Sequence, residues 1–314
     1  MARFVIRRLL QSCVVLLGVT LVVFLLLQLV PGDPVRVALG TRFDPQTYEA
    51  LRARAGLDQP LVVQYFDYLR RALTGDLGVS FRSGRPVTSI VLERLPATLS
   101  LAVTAVLFAL VIALPLGILS AMRSGSFVDH AARVFSQFGV SVPDFWMGIM
   151  GILLFAGVLG WLPPSGYVAL TEDPARWASH VALPAATVGL VTASILTRFI
   201  RSSMLEVLSE DYVRTAEAKG LRTRVVVLRH VLRNALIPVV TVVAVQLASL
   251  LGGVIVIEVL FAWPGIGRLT FDAVQARDYP VLQGAVLLVA ALFLLVNLLV
   301  DILYARLDPR ITVK

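Results

Sequence analysis

Six apolar runs of about twenty residues divide the chain, and each of them is nearly free of charged side chains. They lie within residues 9–30, 95–122, 134–159, 177–197, 234–257 and 279–300. A run of this length can cross the roughly 30 Å hydrocarbon core of a bilayer as an α-helix. The runs are continuously apolar and do not alternate with polar residues, which excludes a β-barrel. The pattern therefore predicts an all-α membrane protein with six transmembrane helices.

The segments between the runs predict the domain organisation. Residues 1–30 form the first transmembrane helix, and residues 31–98 form an external loop with helical content. Residues 99–305 contain transmembrane helices two to six together with a cytoplasmic hairpin at residues 202–235. Residues 306–314 are expected to form a cytoplasmic tail.

The first run is interpreted as a retained span and not as a cleaved signal peptide. Residues 9–30 are longer than the apolar core of a typical signal peptide. The run ends in Pro31-Gly-Asp-Pro34, without the small-residue pattern of a cleavage site.

Composition supports the membrane assignment and narrows the class of protein. Hydrophobic residues make up 58% of the chain and charged residues 15%, against about 25% charged in an average soluble domain. Mean hydropathy is +0.85. This balance excludes a disordered chain, a typical cytosolic enzyme and a DNA-binding protein. The lipid bilayer is the expected environment, with no nucleic acid partner.

The net charge of +8 is explained by the orientation of the spans. Basic residues concentrate at both termini and in the segments after runs two and four, most densely in residues 198–233. The short segments after runs three and five carry only Arg176, Arg268 and Arg277. Because short cytoplasmic loops are enriched in Lys and Arg, both termini are expected to be cytoplasmic.

The basic segment after run four has the pattern of a helical hairpin. Residues 204–219 are rich in helix-forming residues with apolar positions at helical spacing. Gly220 stands where a helix is expected to end, and Thr223 is expected to cap a second helix over residues 225–235. Leu221 and Arg222 would then lie at the tip of a hairpin that leads into span five.

This hairpin resembles the EAA loop of ABC importer permeases. The matching residues are Glu210-Asp-Tyr-Val-Arg-Thr-Ala-Glu-Ala-Lys-Gly-Leu221 and Leu228-Arg-His-Val-Leu-Arg-Asn-Ala-Leu-Ile-Pro238. Arg214 stands in place of the Glu of the general motif, as in the dipeptide/oligopeptide branch. Two further segments resemble the B-type subunit of that branch: Pro31-Gly-Asp-Pro34 after the first span, and Gly252-Gly253 with Glu258-Val-Leu-Phe-Ala-Trp-Pro-Gly-Ile-Gly267 after the fifth.

The resemblance implies a permease subunit of an ATP-driven, binding-protein-dependent importer in a bacterial plasma (inner) membrane. The implied partners are a second homologous permease, two ATPase subunits and an extracytoplasmic substrate-binding protein. ATP and Mg would be bound by the ATPases, with no cofactor in this chain. Di- or oligopeptides are the expected substrates, with nickel or glutathione as alternatives. The implied ATPase-coupling residues are Tyr212, Arg214, Thr215, Ala216, Glu217, Ala218, Lys219, Gly220, Leu221 and Arg222.

Polar residues inside or beside the apolar runs are candidates for the translocation pathway, because such residues tend to face a cavity or a partner. They are Gln137, Asp144, Gln246 and Glu258. Two structural alternatives remain open. Asp144 follows Pro143 and could instead begin a helical segment, and Glu258 could lie hydrated at the membrane interface.

The sequence offers no chemistry of its own to drive transport. A phosphate-binding loop needs Gly-Lys-Ser/Thr, and neither Lys219 nor Lys314 stands in that context. His130, His180 and His230 are too far apart in sequence to form a recognisable metal-binding motif. The chain is therefore expected not to be an enzyme. An ion-driven transporter or channel remains the alternative function, although such a protein usually carries charged relays at mid-membrane.

Overall fold

The computed structural model describes residues 2–40 and 43–307, and within these residues the fold consists of helices with short connections. No strand occurs in these residues beyond an isolated antiparallel bridge between Val79 and Pro86. The first seven helices are α1 (Ala2–Gln28), α2 (Pro34–Leu39), α3 (Pro45–Ala55), α4 (Leu61–Leu73), α5 (Val87–Met122), α6 (Phe127–Ser141) and α7 (Asp144–Gly151). The basic residues Arg310 and Lys314 of the expected tail lie outside the described residues.

Seven helices follow in the C-terminal half. They are α8 (Pro174–Leu208), α9 (Asp211–Ala218), α10 (Thr223–Val225), α11 (Leu232–Leu251), α12 (Ile255–Leu260), α13 (Ile266–Gln275) and α14 (Tyr279–Leu307). Two π-helical segments continue their neighbours. Ile152–Val158 extends α7, and Val226–Val231 joins α10 to α11.

The predicted six-span fold is confirmed. Five helical segments are long and apolar enough to cross a membrane: Val5–Gln28, Val87–Met122, Pro174–Leu208, Thr223–Leu251 and Tyr279–Ile302. The pair formed by α6 and the extended α7 gives the sixth when the two bent helices are counted as one span. The segment between the first two spans contains α2, α3 and α4, as expected for a helical loop.

The third span is broken beside Asp144, the charged residue that interrupts the predicted run over residues 134–159. α6 and α7 meet at a bend of 99°. Pro143 causes the break, because a proline disfavours helical backbone in the residue before it. Val142 is accordingly extended, with φ −90° and ψ 128°.

The fifth span ends earlier than predicted. α11 stops at Leu251, not at residue 257. Gly253 then adopts φ +91°, a left-handed conformation that favours glycine. The chain restarts as the separate short helix α12, so Glu258 lies on α12 and not at the end of the span.

The hairpin also differs from the prediction in two places. The helix expected over residues 204–219 is interrupted, because α8 ends at Leu208 and Glu210 is extended. The Ser209 hydroxyl donates to the Glu206 carbonyl, a local bond that competes with helix continuation. The cap expected at Thr223 is also wrong. Arg222 takes the N-cap position without a side-chain hydrogen bond, and Thr223 is the first residue of α10.

The chain forms two compact units, of which the first comprises residues 1–99, 251–258 and 264–295. Its main core joins the start of α5 to α13 and α14, through Val87, Val91, Ile266 and Val281. The buried Asp278 carboxylate accepts hydrogen bonds from the Ser80 hydroxyl and, at 3.1 Å, from the Phe81 N–H.

The Pro31-Gly-Asp-Pro34 motif has a structural role in this first unit. Asp33 caps α2 by accepting from the N–H groups of Val35 and Arg36, and it accepts a 2.6 Å bond from the Tyr48 hydroxyl on α3. Burial raises the pKa of Asp33, but the bonds from Tyr48 and the backbone outweigh it, so the pKa lies below its ordinary value. The motif thus ends the first span and fixes the first two helices of the loop.

The second unit comprises residues 100–250, 259–263 and 296–314. Its core lies between α5 and α8, where alanines on α5 meet larger residues on α8. Small residues allow the close approach, since a Cβ at Gly117 would lie 2.7 Å from the Ile200 side chain. In the apolar stretch of α8, 67% of the residues are buried, so α8 is the central helix of this unit.

Candidate coupling hairpin and pathway residues

The turn of the hairpin is built by a Schellman motif at the end of α9. The Gly220 N–H donates to the Glu217 carbonyl at 2.8 Å, and the Leu221 N–H donates to the Ala216 carbonyl at 3.4 Å. These are the two bonds that close a helix whose next residue is left-handed. Gly220 supplies that residue with φ +75°. No atom within 4 Å would meet a Cβ at Gly220, so the turn faces open space.

The two arms of the hairpin are anchored in the core of the second unit. Val213 and Ala216 of α9 are buried together with Val226, Val227 and Val231 of the second arm. The same cluster contains Leu196, Ile200 and Met204 of α8 and Ala235 and Val239 of α11. A force on the hairpin would therefore reach two spanning helices through packed side chains.

A polar contact also joins the arms. The Asn234 side-chain amide donates to the Tyr212 hydroxyl at 2.9 Å and to the His230 carbonyl at 3.1 Å. This contact connects two positions of the motif that are 22 residues apart in sequence. Asn234 fixes the first arm against the helix that continues as span five.

The predicted coupling residues lie together on α9 and the following turn. All are exposed except Ala216, which is 7% exposed and packs into the core. Tyr212 and Leu221 expose 42% and 41% of their surface. Arg214 forms an exposed ion pair with Asp211 at 3.7 Å. The hairpin therefore presents a polar, mostly basic outer surface with two larger apolar side chains.

The predicted pathway residues lie on separate elements. Gln137 is exposed on α6, and half-buried Asp144 begins α7, where its carboxylate accepts from the Phe145 N–H at 2.7 Å. Gln246 is half-buried on α11. Their assignment to a translocation pathway stays a prediction. Asp144 thus begins a helical segment, as its alternative states, although Pro143 holds the N-cap position and no side chain caps the helix.

Glu258 is 1% exposed in the first unit, so the alternative of a hydrated interfacial Glu258 does not hold. Its Oε2 accepts the Arg268 N–H at 2.7 Å. Gly265 is needed beside it, because a Cβ there would lie 2.2 Å from Glu258 Oε1. The segment from Glu258 to Gly267 thus encloses the buried Glu258 carboxylate with its own backbone.

Sequence reasoning missed a buried ion pair in the second unit. Asp129 of α6 is 1% exposed, and Arg201 of α8 contacts it through Nε–Oδ1 at 2.6 Å and Nη2–Oδ2 at 3.0 Å. Ser120 and the Gly125 N–H donate to the same carboxylate at 2.6 and 2.9 Å. Arg201 was assigned to a loop because span four was predicted to end at residue 197. The helical spacing of Arg198 and Arg201 was the available signal that the helix continues.

The described part of the chain contains no cluster of potential metal ligands. Within residues 2–40 and 43–307, no three His, Cys, Asp or Glu side chains form a group that could hold an ion.

Known proteins resemble the chain over its whole length. Residues 113–313 match the family described as binding-protein-dependent transport system inner membrane component, and residues 1–102 match the corresponding N-terminal family. The dipeptide transport system permease protein DppB of Alkalihalophilus pseudofirmus is 43% identical, with 99% of each chain covered. DppB of Escherichia coli K12 is 42% identical with full coverage of both chains. The glutathione transport system permease protein GsiC of Escherichia coli O6:H1 is 43% identical, also with full coverage.

A solved structure shares the fold at low sequence identity. The inward-facing MetNI methionine ABC transporter matches with a TM-score of 0.57 and 17% identity. The match covers 70% of this chain and 97% of that one.

Proposed function

The chain belongs to the family of binding-protein-dependent transport system inner membrane components and is an ABC importer permease, and we propose that it imports di- or oligopeptides. Relatives named for dipeptide transport are 42–43% identical over the full chain, which supports this class of substrate. Glutathione is the second candidate, because a relative named for glutathione transport is equally similar. Both are small peptides. Uptake assays distinguish them: a labelled dipeptide is supplied with excess unlabelled glutathione, and labelled glutathione with excess unlabelled dipeptide. The true substrate is expected to block uptake of the other compound more strongly than the reverse.

The observation that carries the coupling role is the hairpin formed by α9 and residues 219–231. It combines an exposed basic surface with arms that are buried in the core of the second unit. An element that only connected two spans would need neither feature. We infer that the exposed residues from Tyr212 to Arg222 dock on a separate ATPase subunit. The buried residues would then transmit the motion of that ATPase to α8 and α11.

The partners follow from this role. Two ATPase subunits would bind ATP and Mg, because the sequence of this chain lacks a Gly-Lys-Ser/Thr phosphate loop. A second permease would complete the pathway, and a substrate-binding protein would deliver the substrate. The basic hairpin would lie in the cytoplasm together with both termini, in accordance with the positive-inside rule.

Site-specific cross-linking tests the docking role. Cys13 is the only cysteine of the chain, so Cys13→Ser provides a background without thiols. Leu221→Cys at the hairpin tip is expected to cross-link to the ATPase in the assembled transporter. The matched control is Leu73→Cys on α4, which is 89% exposed and is expected on the opposite side of the membrane. An intact transporter in which Leu221→Cys gives no ATPase cross-link would contradict the proposal.

A further inference from the structure

Helix α4 of the first unit packs against one side of α1. The Tyr65 hydroxyl donates to the Leu17 carbonyl at 3.2 Å and lies 3.2 Å from the Thr20 hydroxyl. The rings of Tyr65 and Phe24 have centroids 5.4 Å apart. Thr20 and Phe24 are 6% and 5% exposed, although most of α1 is exposed. Helix α4 therefore helps to cover the side of α1 on which these residues lie.

These contacts lie at the depth of the first span and not beyond its end. The span runs over Val5–Gln28, and its C-terminal end is predicted to be external. Phe24 and Leu17 precede Gln28 by four and eleven residues, which corresponds to about 6 and 16 Å along the helix axis. The Tyr65 ring packs beside Phe24 and its hydroxyl reaches Leu17. This side chain therefore points from α4 toward the middle of the bilayer.

The most exposed apolar side chains of α4 lie nearer to the direction of Tyr65 than its charged side chains do. Val62, Phe66 and Leu73 are 67%, 64% and 89% exposed. At 3.6 residues per turn they lie about 60–100° round the helix from Tyr65 and within about 40° of one another. These three residues form an apolar arc. Because Tyr65 points into the bilayer, the adjoining apolar arc is also turned toward it.

The charged side chains of α4 lie on the far side of the helix. Asp67, Arg70 and Arg71 are about 120–160° from Tyr65. Asp67 and Arg71 form an ion pair at 3.9 Å with side chains that are 54% and 35% exposed, and Arg70 is exposed. A helix with one apolar and one charged face is suited to the membrane interface, where its apolar face is buried about 5–10 Å deep.

The depth and the order of these faces decide what covers the apolar arc. Gln64 and Tyr68 occupy the remaining side of α4 and line a cavity with Leu27 of α1, so that side is turned toward the protein. The apolar arc lies between Tyr65 and the charged side. At the level of the first span a water-soluble partner does not reach it, whereas acyl chains surround the exposed surface of α1.

We propose that α4 lies in the outer interface of the bilayer and inserts the apolar arc among the acyl chains of the lipids. The charged side of α4 faces the head groups and water. The contact of Tyr65 with Leu17 and Thr20 then fixes the inserted helix to the first span. This inference concerns contact with the membrane and does not depend on the proposed substrate or on the docking of the hairpin.

Spin labels on single cysteines of the assembled transporter test the proposal. Cys13→Ser removes the only cysteine of this chain, and cysteines of the other subunits are replaced likewise. Val62→Cys and Val63→Cys are matched, because both are exposed valines on adjacent positions and Val63 lies about 160° from Tyr65. In proteoliposomes, oxygen, which partitions into lipid, is expected to collide with the label at position 62 about threefold more often than at position 63. A water-soluble nickel chelate is expected to show the reverse preference.

A second matched pair repeats the measurement in the middle of α4. Phe66→Cys in the apolar arc and Asp67→Cys on the charged side are expected to differ in the same way, so the result does not depend on one label position. A label at position 62 or 66 that neither reagent reaches would show that the second permease covers the apolar arc. A label that the nickel chelate reaches until the binding protein is added would show a water-facing docking surface. Either result, or equal accessibility within both pairs, would overturn the proposal.

Discussion

At the scale of single residues, buried carboxylates hold the helices of each unit together. Asp129, Glu258 and Asp278 are each at most 4% exposed. Each accepts hydrogen bonds from groups that are distant in sequence or from tightly turned backbone. A buried charge without such partners would cost several kcal/mol. These residues therefore specify which segments pack together.

The pair of Asp129 and Arg201 is expected to be the most sensitive of these contacts. Asp129→Asn leaves the Arg201 guanidinium without its charged partner, so we expect unfolding in detergent to require about 3 kcal/mol less free energy. Denaturant unfolding of the assembled transporter measures the loss. Asp272→Asn is the control, because its ion pair with Arg268 spans 4.0 Å at the surface and is worth less than about 1 kcal/mol. Equal effects of the two variants would contradict the assigned role of the buried pair.

At the scale of helices, the hydrophobic pattern identified the spans and the interruption at Asp144, but not the sharp bend there or the early end of the fifth span. Apolar runs predict a helix because their length and continuity suffice for a bilayer. The break at Pro143 and the early end at Leu251 depend on single residues inside an apolar window, where composition changes little. The contact of Asn234 with Tyr212 and the pairing of Asp129 with Arg201 join residues on different helices. A single sequence does not show which residues on different helices lie within contact distance, so it does not predict these pairs.

The contact of α6 with α8 requires glycine at position 139. A Cβ there would lie 1.9 Å from Ser194 Oγ and 2.8 Å from Ser194 Cβ. We expect Gly139→Ala to lower the free energy of unfolding by about 1–3 kcal/mol through overpacking. In a Ser194→Gly background the clash is removed, and Gly139→Ala is expected to be neutral or stabilising. A destabilisation that persists in that background would show that the clash is not the cause.

A substitution at Gly220, in the turn of the hairpin, is expected to impair function without preventing the chain from folding. Gly220→Val places a β-branched residue at φ +75°, which costs about 1–3 kcal/mol locally, and fills the space that the ATPase would enter. We expect transport and assembly with the ATPase to fall at least tenfold. Gly75→Val is the control, because Gly75 has φ +81° and equally open surroundings on a different loop. Wild-type assembly and transport by Gly220→Val would contradict the docking role of the turn.

At the scale of the whole molecule, the chain leaves much apolar surface for other molecules. In the apolar stretches of α1 and α14, only 11% and 6% of the residues are buried within the chain. Surfaces of this kind are stable only against lipid or another membrane protein. A single chain that exposes so much of its first and last spans is therefore consistent with a subunit of a larger assembly.

The resemblance to ABC importer permeases rests on motifs that the sequence alone carries, whereas their physical roles required the structure. The Glu258-to-Gly267 segment was recognised as a pattern, but its buried carboxylate cradle appears only in three dimensions. Likewise, the sequence predicted a hairpin at residues 202–235, but not that Val213 and Val226 anchor it in the core. Burial depends on packing partners that periodicity does not identify.

Uptake by proteoliposomes tests the central claim most directly. The vesicles contain this chain with its second permease and ATPases, and a labelled dipeptide is supplied with the substrate-binding protein. We predict accumulation that requires both ATP and the binding protein and that persists when ion gradients are collapsed. Accumulation driven by a proton or sodium gradient without ATP would contradict the account and identify an ion-driven transporter.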